Sequence, residues 1–391
     1  MNVDELDRLI RESIAKGRYT EALEHLRKLS KYQPQIGKTQ FRLAVMEEAF
    51  GEASEAWKAY RNAIKCSPQD AYYYLYAGYF QQSRGQDQSA LAIYSLASEL
   101  DDSVFYAWKD DSLDRDSRRR SLEAAKFMRN KLTEMHLECV DKVPGAARAR
   151  KAVWSRTHNE RFSFPEGQQP QLFYVPDLPS QPFFDLKNMD WVVGLEARFS
   201  AIKNEYVEVV RRGSLAGRPY IAGNSDLHGQ FRELSNSQQW TAFDVFRDGV
   251  PDYQAQHAFP ETMDALKNIP LYDLDGSPYE VFFSVLGPNS KIPPHYGLSN
   301  HCLTVHLPLI VPGEGALTVS NQARPWQEGK TMIFDDTFMH SAENQAGADR
   351  VVLIFSVWHP DLAPPEREAI RKTILARQKW LELRHERAQL K

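Results

Sequence analysis

Cysteine is scarce in this sequence. The 391 residues contain three cysteines, Cys66, Cys139 and Cys302, which are far apart and form no C-x-x-C pair. Zinc ribbons and disulfide frameworks need closely spaced or evenly numbered cysteines, so the sequence supports neither. Isolated thiols are typical of a reducing compartment, where disulfide bonds do not persist. We therefore expect a cytoplasmic protein.

Long apolar runs and a strong net charge are missing as well. No segment contains the roughly 18 consecutive apolar residues of a membrane-spanning helix, and the charged N-terminus lacks the apolar core of a signal peptide. The formal net charge of −4 is small for this length, whereas a nucleic-acid-binding protein concentrates positive charge on its surface. We expect neither a membrane span nor a nucleic-acid partner.

A repeat occupies the first hundred residues. Gly17, Gly51 and Gly85 lie 34 residues apart. Further positions keep this interval: Ala22, Ala56 and Ala90; Leu26, Tyr60 and Tyr94; Leu29, Ala63 and Ala97. The period is typical of tetratricopeptide repeats (TPR), which are helical hairpins. It predicts three TPR-like hairpins, at residues 3–36, 37–70 and 71–104.

Residue types within the repeat support this prediction. A small residue such as Ala22 or Gly78 lets two helices approach closely, and glycine at the turn between them permits a positive φ. Stacked hairpins form a solenoid whose concave face binds peptides or proteins; alternatively, the aromatic side chains only fill the solenoid core. We expect residues 1–104 to bind an unidentified protein partner or to mediate dimerisation.

Residues 105–164 are predicted to connect this repeat domain to a second domain. The part up to residue 143 has the spacing of a charged helix, and proline and glycine interrupt that pattern afterwards. A further helix is expected at about 189–212. The tail, residues 363–391, has the pattern of another charged helix, which would cover the second domain or mediate dimerisation.

From about residue 278 the apolar pattern changes to that of strands. Short apolar segments separated by turn residues include YEVFFSVL, LTVHLPLIV and RVVLIFSVWH. Many short strands predict a sandwich or barrel, of which the jelly roll, or double-stranded β-helix, is one form. We therefore expect an α+β multidomain protein. It would have an all-α repeat domain and, at residues 165–362, a jelly-roll domain with flanking helices.

Two histidines in this region are candidate metal ligands. His295 is expected at the start of a strand, and His340 follows 45 residues later. Most single histidines in strands are structural, but two at strand ends of one small barrel favour a metal site, and imidazole suits Fe, Zn, Cu and Ni. The usual iron-oxygenase triad, often H-x-D…H, has a carboxylate where this chain has Gly297. On spacing alone, a generic cupin, an isomerase and an inactive enzyme remain alternatives.

A family resemblance rests on three stretches, HYGLSNHCLTVHLPLIVP, WQEGKTMIFDDTFMHSAEN and RVVLIFSVWHP. They closely resemble the aspartyl/asparaginyl β-hydroxylases, which carry H-x-G in place of H-x-D. The resemblance covers roughly 165–362. It implies an Fe(II)- and 2-oxoglutarate-dependent dioxygenase that uses O2 to hydroxylate an unactivated C–H bond. His295 and His340 would be the iron ligands, and Gly297 would leave one coordination position to water.

Three further residues would hold the co-substrate according to this resemblance. Arg350 would pair with the distal carboxylate of 2-oxoglutarate, Ser284 would add its hydroxyl there, and His306 would contact the other carboxylate. A buried carboxylate needs a charge-assisted partner, and arginine offers a two-point fork. The alternatives are a strand-end surface arginine and a core hydroxyl. The adjacent Asp335 and Asp336 would support the fold or orient a ligand histidine.

The substrate is less well determined. Animal aspartyl hydroxylases grip the substrate carboxylate with arginines, and Cys302 and Thr304 stand at the matching places here. The neighbouring His301 would point to the opposite face of a strand. Candidates are the β-carbon of an Asp or Asn residue, or a related carrier-bound substrate, small molecule or lipid. Two other functions remain: a catalytically inactive TPR scaffold, and an iron halogenase, because a halide needs the position of the missing carboxylate.

Overall fold

Six helices in three pairs begin the chain in the computed structural model, which describes residues 2–154, 164–223 and 229–390. Their bounds are α1 Val3–Ala15, α2 Tyr19–Tyr32, α3 Gly37–Phe50, α4 Ala53–Cys66, α5 Ala71–Ser83 and α6 Asp87–Leu100. The first helices of the pairs start at residues 3, 37 and 71, which reproduces the 34-residue period of the sequence. The helical hairpins lie where the repeat predicts them, and their assignment to the TPR type stays a prediction.

The four glycines of the repeats, at positions 17, 51, 78 and 85, are required for different reasons. A Cβ atom at Gly78 would overlap the Tyr94 ring, so the close approach of α5 and α6 requires glycine, as predicted. Gly17 and Gly85 have φ angles of 68° and 72° at the turns, also as predicted. The prediction is wrong for Gly51, whose φ is −125°. There a Cβ would overlap a neighbouring carboxylate, so the small size of glycine is what counts.

The structure forms two compact units. The first is Met1–Met135 together with Ala376–Lys391, and the second is His136–Leu375. The four segments that the sequence pattern suggests stay a prediction: 1–104, 105–164, 165–362 and 363–391.

The remaining helices flank the repeats and the sheets. They are α7 Arg115–Val140, α8 Ala147–Arg150, α9 Trp191–Ala197, α10 Phe199–Arg212, α11 Tyr253–Ala258, α12 Pro260–Leu266 and α13 Pro364–Arg387. The single helix expected at 189–212 is two helices, because the Arg198 amide bonds to the Leu195 carbonyl and closes α9 with a tighter turn. Among the described residues, no helix has the length and apolar content needed to cross a bilayer.

Two antiparallel sheets dominate the second unit. The strands are β1 Val153–Trp154, β2 Phe173–Tyr174, β3 Arg218–Pro219, β4 Trp240–Arg247, β5 Val250–Pro251, β6 Asp273–Leu274, β7 Ser277–Pro278, β8 Val281–Leu286, β9 Ser290–His295, β10 Cys302–Ile310, β11 Gly315–Val319, β12 Gln322–Pro325, β13 Met332–Phe334, β14 His340–Asn344 and β15 Arg350–Trp358. The large sheet has the order β13-β10-β15-β8-β4-β3 with β5 beside β4, and the small sheet has the order β12-β11-β14-β9.

The last eight strands have the arrangement of a jelly roll. Of β8–β15, the large sheet takes β8, β10, β13 and β15, and the small sheet takes the other four. Neighbouring strands pair antiparallel in both sheets. Two facing four-stranded sheets built in this way are the two halves of a jelly roll. The predicted α+β architecture is confirmed at this level, with a helical N-terminal part and a β-rich C-terminal part.

The large sheet is buried on both faces. On β10, Leu303, Val305 and Leu307 belong to the core that the sheet shares with helices α9–α12. On β15, Val352 and Ile354 point the other way and pack with residues of the small sheet. Side chains that alternate with the helix-facing ones therefore line the space between the two sheets, which is called the inner face below.

Candidate active site

His295 and His340 are neighbours in the small sheet. The two residues are paired across β9 and β14, and their ring centroids are 4.0 Å apart. The expectation that His295 starts a strand is wrong, because it is the last residue of β9. His340 is the first residue of β14. Antiparallel pairing brings the end of one strand next to the start of the other, so residues 45 positions apart lie side by side.

Both rings are oriented by the backbone. The Nδ1–H of His295 donates to the carbonyl oxygen of Pro293 over 2.8 Å, and that of His340 donates to the carbonyl of Phe338 over 3.0 Å. Burial lowers the pKa of both imidazoles, to about 3 for His340, where the proximity of His295 adds to the effect. Two neutral imidazoles with free Nε2 lone pairs are suited to hold a divalent transition metal.

The described residues offer no third ligand beside this pair. Within the described ranges, no three His, Cys, Asp or Glu side chains converge on a metal-sized site. A Cβ atom at Gly297 would overlap the Asp336 carboxyl group, which fills the space that a side chain at 297 would need. The donor set therefore fits a metal held by two histidines, with the remaining coordination positions open to water and small ligands.

Arg350 is a buried cation on the inner face. It opens β15, has 2% of its surface exposed, and points the same way as Val352 and Ile354. Its guanidinium lies 4.6 Å from the centre of the Trp326 ring. In the part of the chain that the structure describes, its Nε and Nη1 atoms have no hydrogen-bond partner, and burial lowers its pKa to about 9. Such a group fits an anionic ligand, because an unpaired buried charge is costly.

Ser284 and His306 lie on the same face. Ser284 pairs across the sheet with Val352, and His306 pairs with Ile354. The Ser284 oxygen accepts from the Trp240 indole N–H over 3.1 Å, which leaves its own proton free to be donated. Burial lowers the pKa of His306, and the proximity of Arg350 and His340 adds to this effect, so the His306 ring lies within electrostatic reach of both.

The two aspartates before His340 have separate surroundings. Asp335 accepts hydrogen bonds from Thr337 and from the Gln168 side chain, so it supports the loop before β14. Neither aspartate side chain holds Nδ1 of His295 or His340, since backbone carbonyls do so. These contacts fit a role of Asp335 in the fold, and the role of the aspartate pair in orienting a ligand histidine stays a prediction.

His301 and His359 belong to the core. His301 is buried against Tyr272 and Trp358, and His359 bonds through Nε2 to the carbonyl of Pro179 over 3.1 Å. Neither is part of the histidine pair.

Residues 196–360 match the family model described as aspartyl/asparaginyl beta-hydroxylase. This part of the chain is similar to that family. The match includes the histidine pair and Arg350, and we call residues 196–360 the hydroxylase-family domain.

Three curated relatives illustrate the similarity. Aspartate beta-hydroxylase domain-containing protein 2 of Xenopus tropicalis is 31% identical over 211 residues, covering 53% of this chain and 55% of the relative. Aspartyl/asparaginyl beta-hydroxylase of Homo sapiens is 23% identical over 330 residues, covering 82% and 38%. Ornithine lipid ester-linked acyl 2-hydroxylase of Rhizobium tropici is 32% identical over 190 residues, covering 48% and 64%. The chain thus spans less than two thirds of each of these relatives.

The hydroxylase-family domain brings all five predicted site residues to the space between the sheets. His295 and His340 come from the small sheet, and Ser284, His306 and Arg350 come from the large sheet. Two tryptophans contact these residues, and the sequence alone assigns a role to neither. Trp240 contacts Ser284, and Trp326 contacts His306 and Arg350. Trp326 lies within one of the family's motifs, which is the sequence feature that points to it.

Proposed function

We propose that the hydroxylase-family domain is an Fe(II)- and 2-oxoglutarate-dependent dioxygenase that hydroxylates an unactivated C–H bond. The observation that carries the proposal is Arg350. A guanidinium that is 2% exposed and unpartnered among the described residues needs an anion, and the imidazole pair offers a metal site on the facing sheet. A dicarboxylate co-substrate that reaches from metal to arginine would satisfy both.

Four of the predicted site residues, together with Trp326, have the following roles in this reaction. Iron held by His295 and His340 would supply oxygen activation, with the keto acid oxidised to succinate and CO2 as the substrate gains a hydroxyl group. Arg350 would bind the distal carboxylate through two N–H groups, and the Ser284 hydroxyl would donate to the same carboxylate. Trp326 covers the guanidinium and keeps water away from it.

The two alternative functions meet specific objections. An inactive scaffold has no use for a buried, unpartnered arginine, which lowers stability without a ligand. A halogenase needs an uncrowded position for a halide at the place of the missing ligand carboxylate. Here the Asp336 carboxyl group adjoins Gly297, which disfavours a second anion. The mass of the product would distinguish hydroxylation from halogenation.

The substrate and the role of the repeats belong to the proposal as well. Relatives are named for aspartyl or asparaginyl residues and for the acyl chain of an ornithine lipid, so we consider peptide, carrier-bound, small-molecule and lipid substrates. We propose that the helical repeats dock a protein partner, and co-purification without any partner for residues 1–104 would count against this. The cytoplasmic location also stays a prediction.

An anaerobic titration with Fe(II) and 2-oxoglutarate tests the reaction class. An iron–keto acid complex has a weak visible charge-transfer band, which we expect in the wild type and not in His295→Ala. His257→Ala is a matched control, because His257 is exposed on α11. A wild type that binds no iron and shows no band would overturn the proposal and favour the scaffold. A band that survives His295→Ala would refute the assigned ligands.

A further inference from the structure

The inner face of the large sheet carries opposite charges along its strands. Arg350 and Ser284 lie towards one end of β15 and β8, beside Leu286. Glu280 and Ser356 lie towards the other end, and Ser356 pairs across the sheet with Thr304. The same strand alternation that places Ser284 on this face also places Glu280 there, four residues earlier.

Glu280 is a carboxylate without a cation. It accepts a hydrogen bond from the Ser356 hydroxyl over 2.6 Å, and no ion pair to it is found among the described residues. Asp244, on the neighbouring strand β4, is paired with Arg218. Its Nη1 group donates to the backbone carbonyls of Pro219 and Tyr220, and the described residues show no bond from Arg218 to Glu280.

Asp336 brings a second carboxyl group to the same place. It accepts from the Thr304 hydroxyl over 3.2 Å. Its other oxygen, Oδ1, is shielded from solvent, has no partner in the described part of the chain, and adjoins Gly297. Burial, with the neighbouring Asp335 and Glu280 carboxyl groups, raises the pKa of Asp336 to about 8. Burial also raises the pKa of the Tyr220 hydroxyl, and the proximity of Glu280 and Asp336 adds to this effect. We call Tyr220, Glu280, Thr304, Asp336 and Ser356 the acidic wall.

An anionic substrate group would be unfavourable beside this wall. Residues 302 and 304 are a cysteine and a threonine, so they offer no positive charge, and Thr304 already donates to Asp336. Unpartnered buried acceptors are satisfied best by a charged N–H donor, which gives hydrogen bonds about twice as strong as neutral ones.

Three exposed apolar residues lie beside the loop after His295 and the loop before His340. Leu172, Leu298 and Met339 are exposed. The Leu172 amide bonds to the Leu298 carbonyl over 2.9 Å, and Met339 directly precedes His340. An apolar chain attached to the polar group of a substrate would find contacts here.

We infer that the substrate presents a protonated amine to Glu280 and Asp336 of the acidic wall, with an apolar portion towards Leu172, Leu298 and Met339. Hydroxylation of such a substrate rests on the function proposed above. Recognition of the amine rests on the wall alone and is measurable without turnover.

Matched alkyl probes test the inference. Binding of octylamine and octanol is measured by calorimetry to the metal-free protein. Octanoate is added as a third probe in the anaerobic Fe(II)–2-oxoglutarate complex, where the co-substrate would occupy Arg350. We expect octylamine to bind roughly tenfold or more tightly than octanol in both forms, and than octanoate in the complex, as one charge-assisted contact implies. The preference should fall to about one in Glu280→Gln and in Asp336→Asn, and should persist in Glu314→Gln, which changes an exposed carboxylate.

The outcomes separate this inference from the proposed function. Equal or tighter binding of octanol, equal or tighter binding of octanoate to the 2-oxoglutarate complex, no binding of octylamine, or an amine preference that survives both wall variants would overturn the inference. Absence of the charge-transfer band in the wild type would overturn the iron-dependent reaction, and the metal-free measurements would still decide on the amine. Use of two separate wall variants guards against misfolding of one of them.

Discussion

Two residues beside the space between the sheets, Arg350 and Asp336, have buried polar atoms that form no hydrogen bond within the described chain. Arg350 has two N–H-bearing nitrogens without partners among the described residues, and Asp336 has one unpartnered oxygen. Globular proteins rarely leave such groups without partners, since each costs about 1–3 kcal/mol. In both cases the atoms without a hydrogen-bond partner border the space between the sheets. We therefore assign both residues to ligand binding.

The cost of the buried arginine can be measured directly. We expect Arg350→Met to raise the free energy of unfolding of the ligand-free protein by about 1 kcal/mol or more, because it removes unpartnered donors. Added metal and 2-oxoglutarate should stabilise the wild type and leave the variant unchanged. Urea unfolding with and without these ligands provides the measurement. Arg247→Met, at an exposed site, is the control, and a ligand-free variant less stable than wild type would contradict the assignment.

His301 makes the protein sensitive to acid. Burial lowers its pKa to about 3, against a usual 6.5. The unfolded chain therefore binds the proton first, so this stability is fully present above pH 6.5 and is lost as the pH falls towards 3. Between pH 6.5 and 5 the loss is about 2 kcal/mol for one such group. We expect His301→Leu to lose correspondingly less stability over this interval in urea unfolding. Equal losses in both proteins would show that His301 accepts the proton when folded.

At the scale of elements, the irregular segment 164–172 positions the loops that adjoin the two histidines. The Gln169 amide bonds to the Thr337 carbonyl, and the Gln171 amide bonds to the Gly297 carbonyl. Gln168 adds its side chain to Asp335. The segment is irregular, since no helix or strand lies within residues 164–172. Its backbone hydrogen bonds hold the loop after His295 and the loop before His340.

Helix α7 is joined to the repeats by a buried ion pair. The Arg120 side chain is 7% exposed and contacts Glu48 of α3 at 3.0 Å and Asp116 at 2.7 Å. Its guanidinium also lies over the rings of Tyr76 and Tyr79 of α5. Every charged member of this network has a partner, in contrast to Arg350, so its role is structural.

Loss of this arginine is expected to destabilise the N-terminal unit. Arg120→Met leaves Glu48 half-buried without its cation, so the free energy of unfolding should fall by about 3 kcal/mol. Arg119→Met changes an exposed pair with Asp116 and should cost less than about 1 kcal/mol. Urea unfolding of both variants checks the difference. Equal costs would show that the ion pair of Arg120 contributes no more than a surface pair.

At the scale of the whole molecule, the two ends of the chain fold together. Residues 376–391 belong to the same unit as the first 135 residues. Trp380 and Ala388 pack into the core formed by α3–α6, and Arg384 bonds to Ser95 of α6 over 3.3 Å. A solenoid needs its last apolar surface covered, and here the distal part of α13 contributes to that cover. From the sequence, residues 363–391 are predicted to cover the second domain or to mediate dimerisation. Neither prediction includes packing on the repeats.

The packing of Trp380 predicts which elements lose stability when the C-terminal helix α13 is altered. Trp380→Ala removes a side chain that is 5% exposed, which costs about 3–5 kcal/mol in a packed core. Amide hydrogen exchange should accelerate in peptides from α5 and α6 and stay unchanged in β8 and β15. Lys379→Ala provides the neighbouring control. Faster exchange in the strands alone would contradict the division into units.

Much of this organisation follows from the sequence by itself. A period of 34 residues places six helices, and alternating apolar residues place β8, β10 and β15, because both patterns reflect local backbone geometry. The H-x-G motif, together with His340 and Arg350, indicates the family, because a motif is recognised from short stretches of sequence.

Only the tertiary structure decides which distant residues become neighbours. The approach of Asp336 to Gly297, the pairing of Glu280 with Ser356 and the packing of Trp380 on the repeats join residues 39, 76 and nearly 300 positions apart. No local pattern encodes these contacts, because they arise when strands pair and sheets close on one another. The sequence therefore determines the elements and the family, and the folded chain determines the charge that a substrate meets.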